Sequence, residues 1–170
     1  SVYGQADGSS VDECSVTVPT SFSGQTMLAA EGLIEQYPGP ACSIRFGGIY
    51  GRGKSRLVSR LEAGEICPHE PVIISNRIHS VDCCRIFVHL LRRYQSGKAL
   101  DSIYLAVDSQ PTPLYEVMQW LANKNRIPLT SLKQGAVIAR GSNKRCLNQR
   151  LLNSGFSLQY PSFKEGFSDR

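Results

Sequence analysis

The 170-residue sequence has no C-x-x-C pair, no apolar run long enough to span a bilayer, and no complete G-x-G-x-x-G that follows a strand and opens a helix. Each absence excludes something. Without paired spacing, the cysteines Cys14, Cys42, Cys67, Cys83, Cys84 and Cys146 read as reduced, mostly buried thiols. The histidines His69, His79 and His89 stand at no metal-ligand spacing from them, so no metal site is expected. Without a bilayer-length run or a signal-peptide pattern, a cytoplasmic protein with no membrane partner is expected. Acidic residues are missing altogether between Glu116 and Glu165, a span that carries Lys124, Arg126, Lys133, Arg140, Lys144, Arg145, Arg150 and Lys164. This is where the net charge of +5 arises. It reads first as a solvated basic surface and second as an attraction for an anionic ligand. Aromatics are sparse there and no nucleic-acid motif accompanies the charge, so a nucleic-acid partner is not expected.

What is present centres on Ala41–Ser55, ACSIRFGGIYGRGKS. Cys42, Ile44 and Phe46 alternate with Ser43 and Arg45, the period of a strand. Gly47, Gly48, Gly51 and Gly53 follow, and then Leu57, Val58 and Leu61 share one helical face. Strand, glycine-rich turn and helix is a geometry in which backbone can approach a phosphate or a cofactor ring closely. Gly48–Ser55 also satisfies G-x-x-x-x-G-K-[ST], the phosphate-binding loop of nucleotide phosphotransferases, and Ile103–Asp108 could serve as the later strand ending in a metal-binding Asp.

The elements in chain order predict an α/β domain. Gln5–Val18 is polar and reads as a loop. Ser21 is a plausible N-cap for a helix with Met27, Ala30 and Ile34 on one face, ended by Tyr37-Pro38-Gly39-Pro40. Met27 is expected to face the core. Pro71–Ile74 and Ile103–Val107 read as apolar strands. The helix Asp82–Gln95 is expected to bury Cys84, Phe87, Val88 and Leu91, with Arg92 and Arg93 at its end and Gly97 as its stop. Asp82 is expected to cap orphan amides at that helix start, and His79 to be a hydrogen-bonded structural residue. Leu114, Val117, Met118 and Leu121 form a further helical stripe, Asn125–Ser142 is irregular, and a last helix runs through Leu151 and Leu152 to Gly155.

Several segments resemble, in order, the extended and atypical short-chain dehydrogenase/reductases of the NAD-dependent epimerase/dehydratase group. They are Arg45-Phe46-Gly47-Gly48-Ile49-Tyr50-Gly51, Ile78-His79-Ser80-Val81-Asp82, the Pro111-Thr112-Pro113 passage to Trp120-Leu121-Ala122, and the ending Tyr160-Pro161-Ser162-Phe163-Lys164-Glu165-Gly166. The resemblance implies the later strands of a doubly wound Rossmann-type parallel sheet with a small C-terminal substrate-binding lobe, at about 65–95 and 124–170. The catalytic hydroxyl residue and the G-x-x-G-x-x-G dinucleotide motif would lie before Val2-Tyr3-Gly4, so the chain is expected to be the C-terminal part of one NAD(P)-binding domain. The family pattern Pro-x-Ser-x-Tyr-Gly-x-Ser-Lys meets Pro19-Thr20-Ser21-Phe22-Ser23-Gly24-Gln25-Thr26-Met27, so Ser23 and Met27 stand where the catalytic tyrosine and lysine belong.

The resemblance thus implies an NAD- or NADP-dependent oxidoreductase or epimerase-like protein with an atypical active site, acting on a small polar, phosphorylated or sugar-like molecule. Phe46, Gly47 and Gly48 would lie near the nicotinamide. Ile49, Tyr50, Arg77 and His79 would face the substrate, with Tyr50 and His79 as substitute proton-transfer groups. A homodimer is the expected assembly. A catalytically silent NAD(P)-binding regulator is the alternative that the loss of the Tyr/Lys pair supports, and a P-loop phosphotransferase is the third reading.

Overall fold

The computed structural model describes residues 1–53, 56–135 and 143–168. Its strands are β1 (Ser10–Val11), β2 (Ser43–Phe46), β3 (Gly48–Tyr50), β4 (Glu65–Ile66), β5 (Ile74–Ser75), β6 (Arg77–His79), β7 (Ile103–Ala106), β8 (Thr112–Pro113), β9 (Lys133–Gln134) and β10 (Arg145–Cys146). Its helices are α1 (Phe22–Glu35), α2 (Arg56–Glu62), α3 (Ser80–Gln95), α4 (Leu114–Lys124), α5 (Gln149–Asn153) and α6 (Phe163–Ser168). The pairs β2–β7, β3–β6, β1–β10 and β4–β9 are parallel, and β5–β8 is antiparallel.

The β2–β7 pair is covered on both faces, as a doubly wound sheet requires. Register puts Ile44 opposite Tyr104 and Phe46 opposite Ala106, and side chains alternate along a strand. Tyr104 and Ala106, with Ile44 and Phe46 at the margin, pack against Cys83, Ile86 and Leu90 of α3 and Leu151 of α5. On the other face Leu105 and Val107 pack with Val2, Tyr3, Val11 and Cys146, and Leu28 of α1 joins them. Arg45, also on that face, holds Glu31 of α1 through Nε and Nη2 at 2.9 and 2.6 Å and donates from Nη1 to the Tyr3 hydroxyl at 2.6 Å. A third cluster, Val58 and Leu61 of α2 with Val117, Met118 and Leu121 of α4, closes over Tyr50 and Phe167.

Caps match the residues that make them. Ser21 accepts the Gly24 amide at 3.1 Å and opens α1. The α3 start is capped by His79, whose Nδ1 accepts the Val81 amide at 3.3 Å. The expected cap, Asp82, is instead fully buried and spent elsewhere. Gly97, at φ +73°, takes α3 out of its last turn.

Two helical faces depart from the expected stripes. In α3 the buried residues are Asp82, Cys83, Ile86 and Leu90, while Cys84, Phe87, Val88 and Leu91 are exposed. A pattern of apolar residues wider than one stripe fits two helical faces, and the sheet takes the face carrying Ile86 and Leu90. In α1 only Gly24 is buried, and Met27 is 63% exposed instead of facing a core. Cys67, Cys83 and Cys146 are buried, Cys42 is half-buried, and Cys14 and Cys84 are exposed.

Candidate functional site

At the carboxyl end of β2 the sheet divides. The Gly47 amide donates to Ala106 O at 3.0 Å, continuing the ladder with β7. The next amide, Gly48, donates to Asn76 O at 2.8 Å and begins the ladder with β6. The Asp108 amide then donates to Arg77 O at 2.6 Å, so Asn76 and Arg77 lie wedged between the two diverging strands. A Cβ on Gly47 would stand 2.9 Å from Val107 Cγ1 and 3.0 Å from Asn76 O, which is why glycine is needed at the division. Gly48 is exposed, and a Cβ there would meet only Asn76 O, at 3.3 Å. Open α/β sheets bind ligands where strands part at their carboxyl ends.

The residues around this division form one buried polar group. Ile49 is 41% exposed and Tyr50 only 3%, as alternation along β3 dictates. The Tyr50 ring lies edge-on to His79 at 5.2 Å and stacks on Phe167 at 4.6 Å, and its hydroxyl donates to Ser162 O at 3.3 Å. His79 is itself buried and its ring centroid is 4.0 Å from that of Tyr160. Burial, with Asp108 nearby, raises the Tyr50 phenol well above its ordinary range. Asp108 is 1% exposed, and burial pushes its carboxyl up to about 7. Arg77 is pushed down to about 10 by burial, against the opposing pull of Asp108. Among the described residues, Arg77 Nε and Asp108 Oδ2 are both buried without a hydrogen-bond partner.

A strap from the C-terminal segment holds this group in place. Asp82 Oδ1 accepts the Gln159 amide and Oδ2 the Tyr160 amide, both at 2.9 Å, while Arg85 Nη1 reaches Oδ1 at 2.7 Å. The acid expected to cap its own helix therefore anchors a segment far along the chain. The Ser109 amide donates to Pro161 O at 3.0 Å, and Lys124 Nζ donates to Phe167 O. A Cβ on Gly166 would run into the Tyr50 hydroxyl, so the strap closes against Tyr50 without room to spare.

The structure brings Tyr50, Arg77 and His79 together, and Ser23 and Met27 are exposed on α1. Sequence reasoning took Asp108 only for a metal-binding residue of the phosphate-loop reading, and passed over Asp82 and Tyr160 as site components. That loop reading fails on its first half: Gly48–Tyr50 is a strand whose Tyr50 is buried, not a loop with amides turned to a phosphate. Its Lys54 and Ser55 lie outside the described residues. The basic run is also less solvated than its composition implies. Lys144 is buried with Nζ on Tyr3 O at 3.3 Å, Arg145 donates to Gly8 O, and Arg150 donates to Ile103 O at 3.2 Å. Part of that run, 136–142, lies outside the described residues. No group of metal-ligating side chains occurs among the described residues, and none of their helices is long and apolar enough to cross a membrane.

Solved structures with this fold are numerous. A putative NAD-dependent epimerase/dehydratase from Methylobacillus flagellatus is 33% identical, with a TM-score of 0.84 over 99% of this chain and 59% of its own. The chain is similar along its whole length to the NAD-dependent epimerase/dehydratases. A functionally unknown conserved protein from Silicibacter pomeroyi is 26% identical, with a TM-score of 0.83 over 98% of this chain and 61% of its own. A dTDP-glucose 4,6-dehydratase from Streptomyces venezuelae, solved with NAD bound, shares the fold at 21% identity and a TM-score of 0.75, over 99% of this chain and 55% of its own. The chain thus spans about 60% of the length of the Methylobacillus flagellatus and Silicibacter pomeroyi proteins. No family model and no curated relative matches it.

Proposed function

We propose that this chain forms the nicotinamide-side and substrate-side part of an NAD- or NADP-dependent epimerase/dehydratase-like protein. The observation that carries the reading is the division of parallel strands at Gly47–Gly48, in a chain 33% identical to a putative enzyme of that kind. The residues present fit one end of the dinucleotide. Gly48 is exposed and approachable on the side away from Asn76, and half-buried Phe46 and Gly47 line the same edge. They supply no glycine-rich cradle for the pyrophosphate. When bound, the dinucleotide supplies hydride transfer.

The chain's own residues orient and bind. Ile49 presents its side chain at the open edge, and Arg77 offers a cation for a phosphate or carboxylate on the substrate. His79, buried between Tyr50 and Tyr160, fixes the turn into α3, and the segments 65–95 and 124–170 supply the substrate lobe. The substrate class is a small sugar-like or phosphorylated molecule, in keeping with the sugar-nucleotide enzymes among proteins of this fold. A homodimer and a cytoplasmic location belong to the same reading.

A second reading, a cofactor-binding protein that turns over little, is favoured by one observation. Ser23 and Met27 are exposed on α1 and offer neither acidity near neutral pH nor a charge to tune a neighbour. The test uses the natural full-length product that carries this chain. With NAD and dTDP- or UDP-sugars, conversion of the sugar nucleotide, followed by chromatography, should be slow. Ser23→Tyr with Met27→Lys should speed it by ~10-fold or more, since a placed proton-transfer group contributes roughly 10²–10⁴-fold. A double variant that binds cofactor and gains no rate supports the silent reading.

A further inference from the structure

We propose that Asp108 sets the charge that Arg77 presents to a bound anion, so that an oxyanion on Arg77 and a proton on Asp108 bind cooperatively. This deepens the reading above and rests on it for the identity of the ligand, a sugar phosphate or carboxylate.

The geometry comes first. Arg77 enters the sheet between Gly48 and Asp108, and its carbonyl accepts the Asp108 amide at 2.6 Å. Their side chains carry the two opposite charges of the division. Neither Arg77 Nε nor Asp108 Oδ2 finds a hydrogen-bond partner among the described residues, although both atoms are fully enclosed. A buried polar atom without a partner is costly, and one on a cation and one on an acid, in residues joined by a backbone hydrogen bond, mark a site whose polar complement comes from a ligand or a proton. Asp108 keeps one hydrogen bond, from the Gln110 amide at 3.2 Å to Oδ1.

The surrounding charges leave Asp108 in control. Around the pair stand Tyr50 on β3, Cys67 after β4, Glu165 on α6 and, past Tyr50, Asp82 on α3; His79 follows on β6. Tyr50 and Cys67 are both raised by burial and stay neutral through the neutral range. Glu165 is exposed and held low by the Ser162 hydroxyl, so it stays charged. Asp82 is fixed by two amides and Arg85. Of the carboxyls, Asp108 is the one raised to about 7. Ionised, it offsets the Arg77 charge and repels an anion. Protonated, it leaves Arg77 as a net cation. The coupling is reciprocal: a bound anion raises the Asp108 carboxyl further.

Sulfate is the probe, because it does not change its own charge across the neutral range. Isothermal titration of the natural full-length product at about pH 5.5 and about pH 8.5 should show binding weakened by up to roughly 30-fold at the higher pH, the loss of the protonated fraction. Asp108→Asn should bind about equally at both, near the wild-type low-pH affinity. Arg77→Gln should lose binding at both, while Arg77→Lys keeps part of it. A pH dependence that survives Asp108→Asn, or sulfate binding unaffected by Arg77→Gln, overturns the proposal. Should the variants fail to fold, the Asp108 carboxyl resonance of the wild type decides. A midpoint near 7 that rises with sulfate supports coupling, and one that sulfate leaves unmoved overturns it. A parallel NADH titration keeps the two claims apart: no NADH binding with intact sulfate coupling sinks only the cofactor reading.

Discussion

Gly47 and Gly48, neighbours in the chain, donate their amides to different strands, one to Ala106 O at 3.0 Å and the other to Asn76 O at 2.8 Å. At that change of partner stand the candidate residues Phe46, Gly47, Gly48, Ile49, Tyr50, Arg77 and His79.

Gly47→Ala should destabilise the protein by about 1–3 kcal/mol, the usual cost of forcing an extra carbon into packed surroundings. Both obstacles, Val107 Cγ1 and the Asn76 carbonyl, belong to the strands being separated. A urea melt measures it. Unchanged stability would mean the division tolerates a side chain and the glycine is not there for space.

Asp82→Ala should cost about 2–4 kcal/mol, because it strands the buried Tyr160 amide, the part-buried Gln159 amide and one guanidinium at once. Asp82→Asn should cost less, since its side-chain oxygen still accepts one amide. Hydrogen exchange gives the local signature: the Gln159 and Tyr160 amides should lose protection before the core strands do. If both amides stay protected in Asp82→Ala, the strap is held by something other than this carboxylate.

Asp108 makes stability depend on pH in a defined direction. Its folded value, about 7, lies above the ordinary carboxyl value of 3.8. Between those values the folded state keeps a proton that the unfolded chain has lost, so stability falls as pH rises from about 4 to about 7 and then levels off. Asp108→Asn should flatten that part of the profile. Thermal melts across the range read it directly, and an identical slope in the variant would remove Asp108 as its source.

The outer face of α1 should bind a hydrophobic dye in the 170-residue chain. Phe22, Met27 and Leu33 are 84%, 63% and 70% exposed, alongside Ile34 and Tyr37. Leu33→Glu with Phe22→Ser should cut dye fluorescence while changing the unfolding free energy by no more than ~0.5 kcal/mol. Unaltered dye binding would place the apolar surface elsewhere.

Much of this was legible in the sequence, for reasons that differ from element to element. The strands at Ser43–Phe46 and Ile103–Ala106 announced themselves by alternation and by an unbroken apolar run, and Ser21 and Gly97 marked helix ends by chemistry that is local. What failed was long-range. Phe87, Val88 and Leu91 form as good a stripe as Ile86 and Leu90, and only the position of Tyr104 decides between them. Asp82 looked like a cap because its partners, Gln159 and Tyr160, lie far along the chain. Asp108 carried no signal of its own, since its raised carboxyl comes from burial after the division of the sheet. The G-x-x-x-x-G-K-[ST] match stayed open as a third reading because spacing alone cannot distinguish a phosphate loop from a strand paired with Arg77–His79.

The central claim is that the edge at Gly47–Gly48 serves a nicotinamide cofactor and not a nucleoside triphosphate. Fluorescence titration of the natural full-length product with NADH, NADPH and ATP tests it in one experiment. The account predicts saturable binding of NADH or NADPH that is weakened at least several-fold by Gly48→Val, which fills the open side of the backbone, and no ATP binding that depends on Lys54. Lys54-dependent ATP binding without affinity for either reduced dinucleotide would contradict it.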